Sequence, residues 1–188
     1  VMKFSMKKVT VLLADGFEEI EALTVVDLLR RAKVYVDTVS ITDDYTVRGA
    51  HGIPVQTEDL ITEIDFKESD MIVLPGGMPG TTNLKEDENV RKAVQEAYDD
   101  GRYVAAICAA PTILADMGLL KGKRATCYPD MESEIEDAYL TGAPVATDEN
   151  IITSQGVGTA IDFALKLIEV LISEEKAVEI ADSIVYQR

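Results

Sequence analysis

The chain has 188 residues, 47% of them hydrophobic, which suits one compact domain with a sizeable core. Its 34 acidic residues against 18 basic ones give a net charge of -16, a field that repels phosphate backbones and anionic lipid and so disfavours nucleic-acid and membrane-surface binding. Two cysteines make no disulfide framework and no segment approaches the ~18 apolar residues of a membrane span, so a reducing cytoplasm with free thiols is the expected setting.

Residues 1–5 read as a disordered extension, and the stretch after them lacks the apolar run and cleavage site of a leader peptide. KKVTVLLA (Lys7–Ala14) has the continuous apolar character of a strand buried on both faces. IEALTVVDLLRRA (Ile20–Ala32) places Leu23, Val26, Asp27 and Arg30 at helical spacing, and its Arg-Arg end complements the helix dipole. VYVDTVSI (Val34–Ile41) is a second strand. Asp43–Ile64, with Gly49, Gly52 and Pro54, breaks the rhythm and is expected to be an excursion of extended chain.

DMIVLPGG (Asp70–Gly77) predicts a third strand ending in a Pro-Gly-Gly turn, and ENVRKAVQEAYDDG (Glu88–Gly101) an amphipathic helix stopped by glycine. RYVAAI (Arg102–Ile107) is a fourth strand, followed at once by a helix over Ala109–Gly118. Short strands near Arg124–Cys127 and Ile151–Ser154, a long helix over Gly158–Ile172 and a last one through Glu174–Ser183 complete the pattern. Strand–helix alternation of this kind builds an α/β doubly wound, mainly parallel sheet sandwiched by helices. No repeat, low-complexity tract or linker interrupts it, so residues 1–188 are expected to form a single domain.

Ligands in such sheets bind at the carboxyl ends of the strands, where three segments converge: ADGFEEIEA, PGGMPG and Cys108. A strand that turns directly into a helix exposes its corner residue on an uncommon backbone conformation, a nucleophile elbow. Ala105, Ala106, Ala109 and Ala110 supply the small neighbours that such a corner needs. The helix dipole favours a thiolate there. Two readings of Cys108 stand side by side: a nucleophile on a strained turn, or a small inert thiol in a tight spot. Gly76-Gly77 is either an ordinary turn or, with the amide of Ala109, an oxyanion site. Glu18 and Glu19 are expected simply to suit the helix dipole. Glu21 lies one turn on from Glu18 among Ile20, Ala22 and Leu23, so it is expected to point inward, where a protonated carboxyl would hydrogen-bond the sulfur. Cys127 reads as a core residue on a strand, with Tyr128 on the opposite face. One histidine and two dispersed cysteines give no zinc spacing, so no metal site is expected.

VTVLLADGFEEIEA, IVLPGG, VAAICAAPTIL and TSQGVGTAIDFALKLIE together resemble the DJ-1/ThiJ/PfpI superfamily, closest to its DJ-1-like (ThiJ) branch, over nearly the whole chain from Lys7. The resemblance implies a flavodoxin-like sandwich, a homodimer and no cofactor. It places the reactive cysteine on Cys108, its protonated acidic partner on Glu21, and the oxyanion-type amides at Gly76, Gly77 and Ala109. It implies a polar or basic residue brought to the pocket from a partner subunit, matched here by Asp27, Arg30 and Arg31 or His51. The dimer contact is expected on the helix Ile20–Ala32. Where protease-like relatives carry a histidine after the cysteine this chain has Ala109, which argues against a peptidase or amidase. Where animal relatives bring a histidine from the next strand it has Tyr128, expected to line the pocket. The function implied is cysteine-dependent, cofactor-free chemistry on small reactive carbonyls or glycated groups, of glyoxalase-III or deglycase type, in stress protection. The alternative is a redox-sensing or chaperone-like protein that uses oxidation of Cys108. A part in thiazole-phosphate metabolism finds no phosphate-binding glycine loop.

Overall fold

The structure, a computed structural model, describes residues 6–187, so the extension expected over residues 1–5 lies outside the described residues. Its centre is a seven-stranded sheet built from β1 (Lys8–Leu13), β2 (Tyr35–Ser40), β5 (Asp59–Leu60), β6 (Met71–Leu74), β7 (Tyr103–Ile107), β10 (Val145–Asp148) and β11 (Ile151–Ser154). The order is β10-β11-β7-β6-β1-β2-β5, parallel throughout except for β10 against β11. The helices are α1 (Glu19–Arg31), α2 (Gly80–Glu86), α3 (Glu88–Asp99), α4 (Pro111–Asp116), α5 (Ala160–Leu171) and α6 (Glu174–Ser183). This is the doubly wound, mainly parallel sheet that the alternation of segments predicts, and the flavodoxin-like α/β sandwich that the resemblance implies.

Strand periodicity divides the core in two. Val9, Val11 and Leu13 of β1 face a layer with Val25 and Leu29 of α1 and Phe163 and Leu167 of α5. Leu12 faces the other layer with Val90 and Val94 of α3 and Ile113 of α4. Strands covered on both faces must be apolar at every position, which is why β1, β6 and β7 show little polar alternation.

The excursion over Asp43–Ile64 contains a hairpin, β3 (Thr46–Arg48) with β4 (Pro54–Gln56), before it enters the sheet as β5. The strand expected over Arg124–Cys127 is shorter: β8 (Arg124–Ala125) pairs with β9 (Tyr139–Leu140) in a separate two-stranded sheet. Cys127 and Tyr128 follow it in irregular chain, so strand alternation does not set their directions. Cys127 is nonetheless fully buried in the core layer of α3 and α4. The antiparallel edge strand β10 and the helix α2 complete the architecture beyond the segments anticipated from the pattern. Among the described residues, no helix is long and apolar enough to cross a membrane.

Candidate functional site

Cys108 follows the last residue of β7 with φ 65°, the left-handed region that a non-glycine residue occupies only when its surroundings hold it there. Both sides of the corner are clamped. The Cys108 N–H donates to the Ser154 carbonyl of β11 at 2.9 Å, and its carbonyl accepts from the Tyr128 N–H at 2.8 Å. The turn after β6 approaches closely. A Cβ on Gly76 would lie 2.6 Å from Glu21 Oε1 and 2.7 Å from the Cys108 Cβ, so only glycine fits between the acid and the thiol. Gly77 adopts φ 94°, also glycine territory. The Gly76 carbonyl accepts from the Glu18 N–H at 2.8 Å, tying this turn to the start of α1.

Glu21 is fully buried, as its apolar flanks predict. Its Oε1 accepts from the Gly76 N–H at 3.1 Å. Its Oε2 is buried and has no hydrogen-bond partner among the described residues, while the Cys108 side chain beside the carboxyl favours its ionised form. Burial, with the negative charge of Glu18 adding to it, raises the Glu21 carboxyl to about 7. Burial also pushes the Cys108 thiol up, to about 12 when Glu21 is ionised beside it, while the amides of Ala109 and Gly77 pull the other way by donating to the sulfur. The helix dipole expected to ionise the thiol is a minor influence, since α4 has only six residues and starts three positions past Cys108. Beside an ionised Glu21 the Cys108 thiol keeps its proton, so a thiolate here requires that the proton sit on Glu21 instead.

Glu18 and Glu19 do more than suit a dipole. Glu18 caps α1, its Oε2 accepting from the Glu21 N–H at 3.0 Å. Glu19 is 4% exposed and its carboxylate accepts from the N–H groups of His51 and Ile53 and meets His51 Nδ1 at 3.0 Å. Burial alone would raise the Glu19 carboxyl, but these hydrogen bonds outweigh it and hold it below its ordinary value; in return Glu19 raises the exposed His51. Among the described residues, Glu18, Glu19 and His51 are also the one group whose ligating atoms lie within 4.8 Å of each other, as a metal would require.

A cleft of about 400 Å³ opens over the thiol, lined by Glu18, Glu21, Gly77, Cys108, Tyr128, Pro129 and residues 155–159. Tyr128 takes the pocket-lining place expected of it. Asp27, Arg31 and His51 do not line the cleft of their own chain. Asp27 and Arg31 pair with each other at 2.5 Å on the exposed face of α1, Arg30 holds the Val36 carbonyl and Glu58, and His51 is turned onto Glu19. Within their own chain each has a nearer partner; the resemblance brings such a residue from a partner subunit, and one protomer does not bear on that expectation. The loop Gln155–Thr159 after β11 is the element that sequence reasoning missed. Its two glycines at the carboxyl end of a strand were the available signal.

Comparison with known proteins places the chain and its fold in a family. The model of the DJ-1/PfpI family matches residues 7–170. The protein DJ-1 homolog B of Arabidopsis thaliana is 40% identical over 98% of this chain, which spans only 42% of that protein's length. Protein dj-1beta of Drosophila melanogaster is 36% identical over 93% of this chain and 95% of its own. Its crystal structure superposes with a TM-score of 0.94 at 34% identity, covering 98% of this chain and all of that one. A Schizosaccharomyces pombe protein named glutathione-independent glyoxalase DJ-1 is 34% identical over 91% of this chain and 94% of its own. The chain belongs to the DJ-1/PfpI family.

Proposed function

We propose that this chain is a cysteine-dependent, cofactor-free enzyme that converts small 2-oxoaldehydes such as methylglyoxal to the hydroxy acid, as part of protection against reactive carbonyls. The observation that carries the reading is the buried Glu21 carboxyl, with one oxygen fixed by the Gly76 amide, the other without a hydrogen-bond partner, and Cys108 beside it. The name of the fission-yeast relative supports the same reaction class.

In this reading the Cys108 thiolate attacks the aldehyde carbon. A C–S bond forms, and the carbonyl oxygen takes the proton from Glu21 to give a hemithioacetal. The amides of Gly77 and Ala109, which solvate the sulfur beforehand, are the donors available to the developing oxyanion. Glu21, now ionised, carries the proton from the former aldehyde carbon to the neighbouring carbon, while the hemithioacetal hydroxyl proton passes to the ketone oxygen, giving the 2-hydroxy thioester. Water cleaves the thioester, releasing lactate and the thiol. Oxidation at one carbon balances reduction at the next, so no external redox partner is consumed.

The chain is proposed to act as a homodimer through α1, a reading supported by the outward-facing Ile20, which is 51% exposed. The test is lactate formation from methylglyoxal, with Cys108→Ser as the decisive variant. Loss of activity is expected, and a rate equal to wild type would remove Cys108 from the mechanism.

A further inference from the structure

The loop Gln155–Thr159 forms one wall of the Cys108 cleft, and hydrogen bonds tie its backbone to the elbow. The Gly156 N–H donates to Thr159 Oγ1 at 3.0 Å, and the Gly156 carbonyl accepts from the Thr159 N–H at 3.0 Å. Thr159 Oγ1 lies 2.7 Å from the Oγ of Ser154, which is fully buried and donates to the Pro144 carbonyl at 2.7 Å. Ser154 also carries the carbonyl that accepts from the Cys108 N–H. Gly156 is thus held in a fixed place relative to the sulfur.

Gly156 has φ 168°, extended backbone that any residue adopts, so the chain path itself does not call for glycine. What a side chain would reach is the reacting pair. A Cβ there would lie 3.9 Å from Tyr128 Cδ2, 4.0 Å from Cys108 Sγ and 4.0 Å from Glu21 Oε2. These are contacts without collision, so a carbon at this point touches the thiol, the acid and the phenol ring at once. Its distance from the sulfur is non-bonded. An atom there is not the carbon that sulfur attacks but a group further along the same molecule. Gly158 differs, since a Cβ on it would meet nothing within 4 Å.

We infer that Gly156 is a specificity-determining residue. The space left by its missing side chain is the subsite for the group on the second carbon of the electrophile, the hydrogen of glyoxal or the methyl of methylglyoxal. The inference rests on Cys108 being the nucleophile, and it deepens the reading of the site as one for 2-oxoaldehydes.

The first test is turnover of glyoxal against methylglyoxal, which differ by that one group. Gly156→Ala is expected to raise the ratio of kcat/KM for glyoxal over methylglyoxal by about tenfold or more, the usual discrimination for one methyl-sized group, while Gly158→Ala keeps the ratio within about threefold of wild type.

The second test needs no turnover. Cys108 is alkylated by iodoacetamide and by its N-phenyl derivative, resolved from Cys127 by mass spectrometry, and the rate ratio is normalised to that of 2-mercaptoethanol. Any change in the thiolate fraction affects both reagents alike and cancels. Gly156→Ala raises the preference for the smaller reagent about tenfold, and Gly158→Ala does not. Tyr128→Ala removes the facing ring from a residue that is 45% exposed and shifts the preference about threefold the other way; it serves if the Gly156 variant does not fold. Equal slowing of both reagents in Gly156→Ala, an equal shift in Gly158→Ala, or an unmoved preference in Tyr128→Ala overturns the inference. A shifted alkylation preference without turnover of either aldehyde leaves the subsite standing and removes the enzyme. Turnover of both aldehydes with an unshifted ratio in Gly156→Ala leaves the enzyme and removes the subsite.

Discussion

Replacing Glu21 by glutamine should change the pH dependence of Cys108 in a way that an isolated thiol cannot imitate. With Glu21 raised to about 7 and Cys108 to about 12 beside the ionised acid, the pair loses its first proton near pH 7 and its second only near pH 12. In between, one proton is shared. The amides of Gly77 and Ala109 favour the arrangement that leaves the sulfur charged. The rate of alkylation by iodoacetamide should therefore rise through an inflection near pH 7 and then stay flat to at least pH 10. In the Glu21→Gln variant the acid that takes up the proton is gone, and a buried thiol titrates alone, at or above the ordinary value of ~8.5. With the remaining proton of the pair wholly on Glu21, the reactive fraction at pH 7 is at most about one half in wild type and about 3% in the variant, a loss of up to about 15-fold. Stopped-flow alkylation across pH 5–11 reads both curves. A wild-type inflection at or above ~8.5, or a variant curve that superposes on wild type, would refute the shared proton.

Three further outcomes are expected. Gly76→Ala should lower Tm by several degrees and abolish the inflection near pH 7, because overpacking costs about 1–3 kcal/mol and the new methyl collides with both Glu21 and Cys108; thermal melts and alkylation would record it, and an unchanged melt would show that the turn can yield. Glu19→Ala should release the loop around His51 and Ile53, with amide exchange there faster by on the order of tenfold. Asp37, 2% exposed on β2, is raised to about 7 by burial, then by its hydrogen bond to Asp59 and the charges of Asp59 and Glu58, with Lys8 opposing. The folded state thus holds this proton more tightly than the unfolded chain at ~3.9. Stability falls as pH rises from about 4 to about 7 and stays reduced above, so Asp37→Asn should raise Tm at pH 8 and leave it nearly unchanged at pH 4.

The elbow, the glycine pair and the inward acid were legible because each is a local matter. Small residues flank Cys108, two glycines follow a buried strand, and Glu21 sits on the apolar stripe of its helix. Glu18 and Glu19 were not, since a carboxylate at a helix start looks the same whether it faces water or a loop. Glu19 is covered by the loop of the β3–β4 hairpin, which folds back so that His51 and Ile53 reach it, and Glu18 is held by its capping bond at the cleft. Gln155–Thr159 carries no titratable group, and its place beside Cys108 follows from β11 lying against β7, a pairing between segments 47 residues apart, Val104 with Ile151. Asp27, Arg31 and His51 were placed at the pocket of a partner subunit by resemblance alone; within their own chain they hold local ion pairs.

Cys108 is held by β7, by the turn after β6, by the first residues of α1 and by the segment beyond β11, so its surroundings are assembled from parts of the chain that meet only when the parallel strands have docked. Such non-local pairings form late and slowly, after most of the loop-closure entropy has been lost. The sulfur's chemistry is thus a reporter of complete folding: a nascent or partly melted chain carries an ordinary thiol, and its special reactivity switches on only when the last strand is in register.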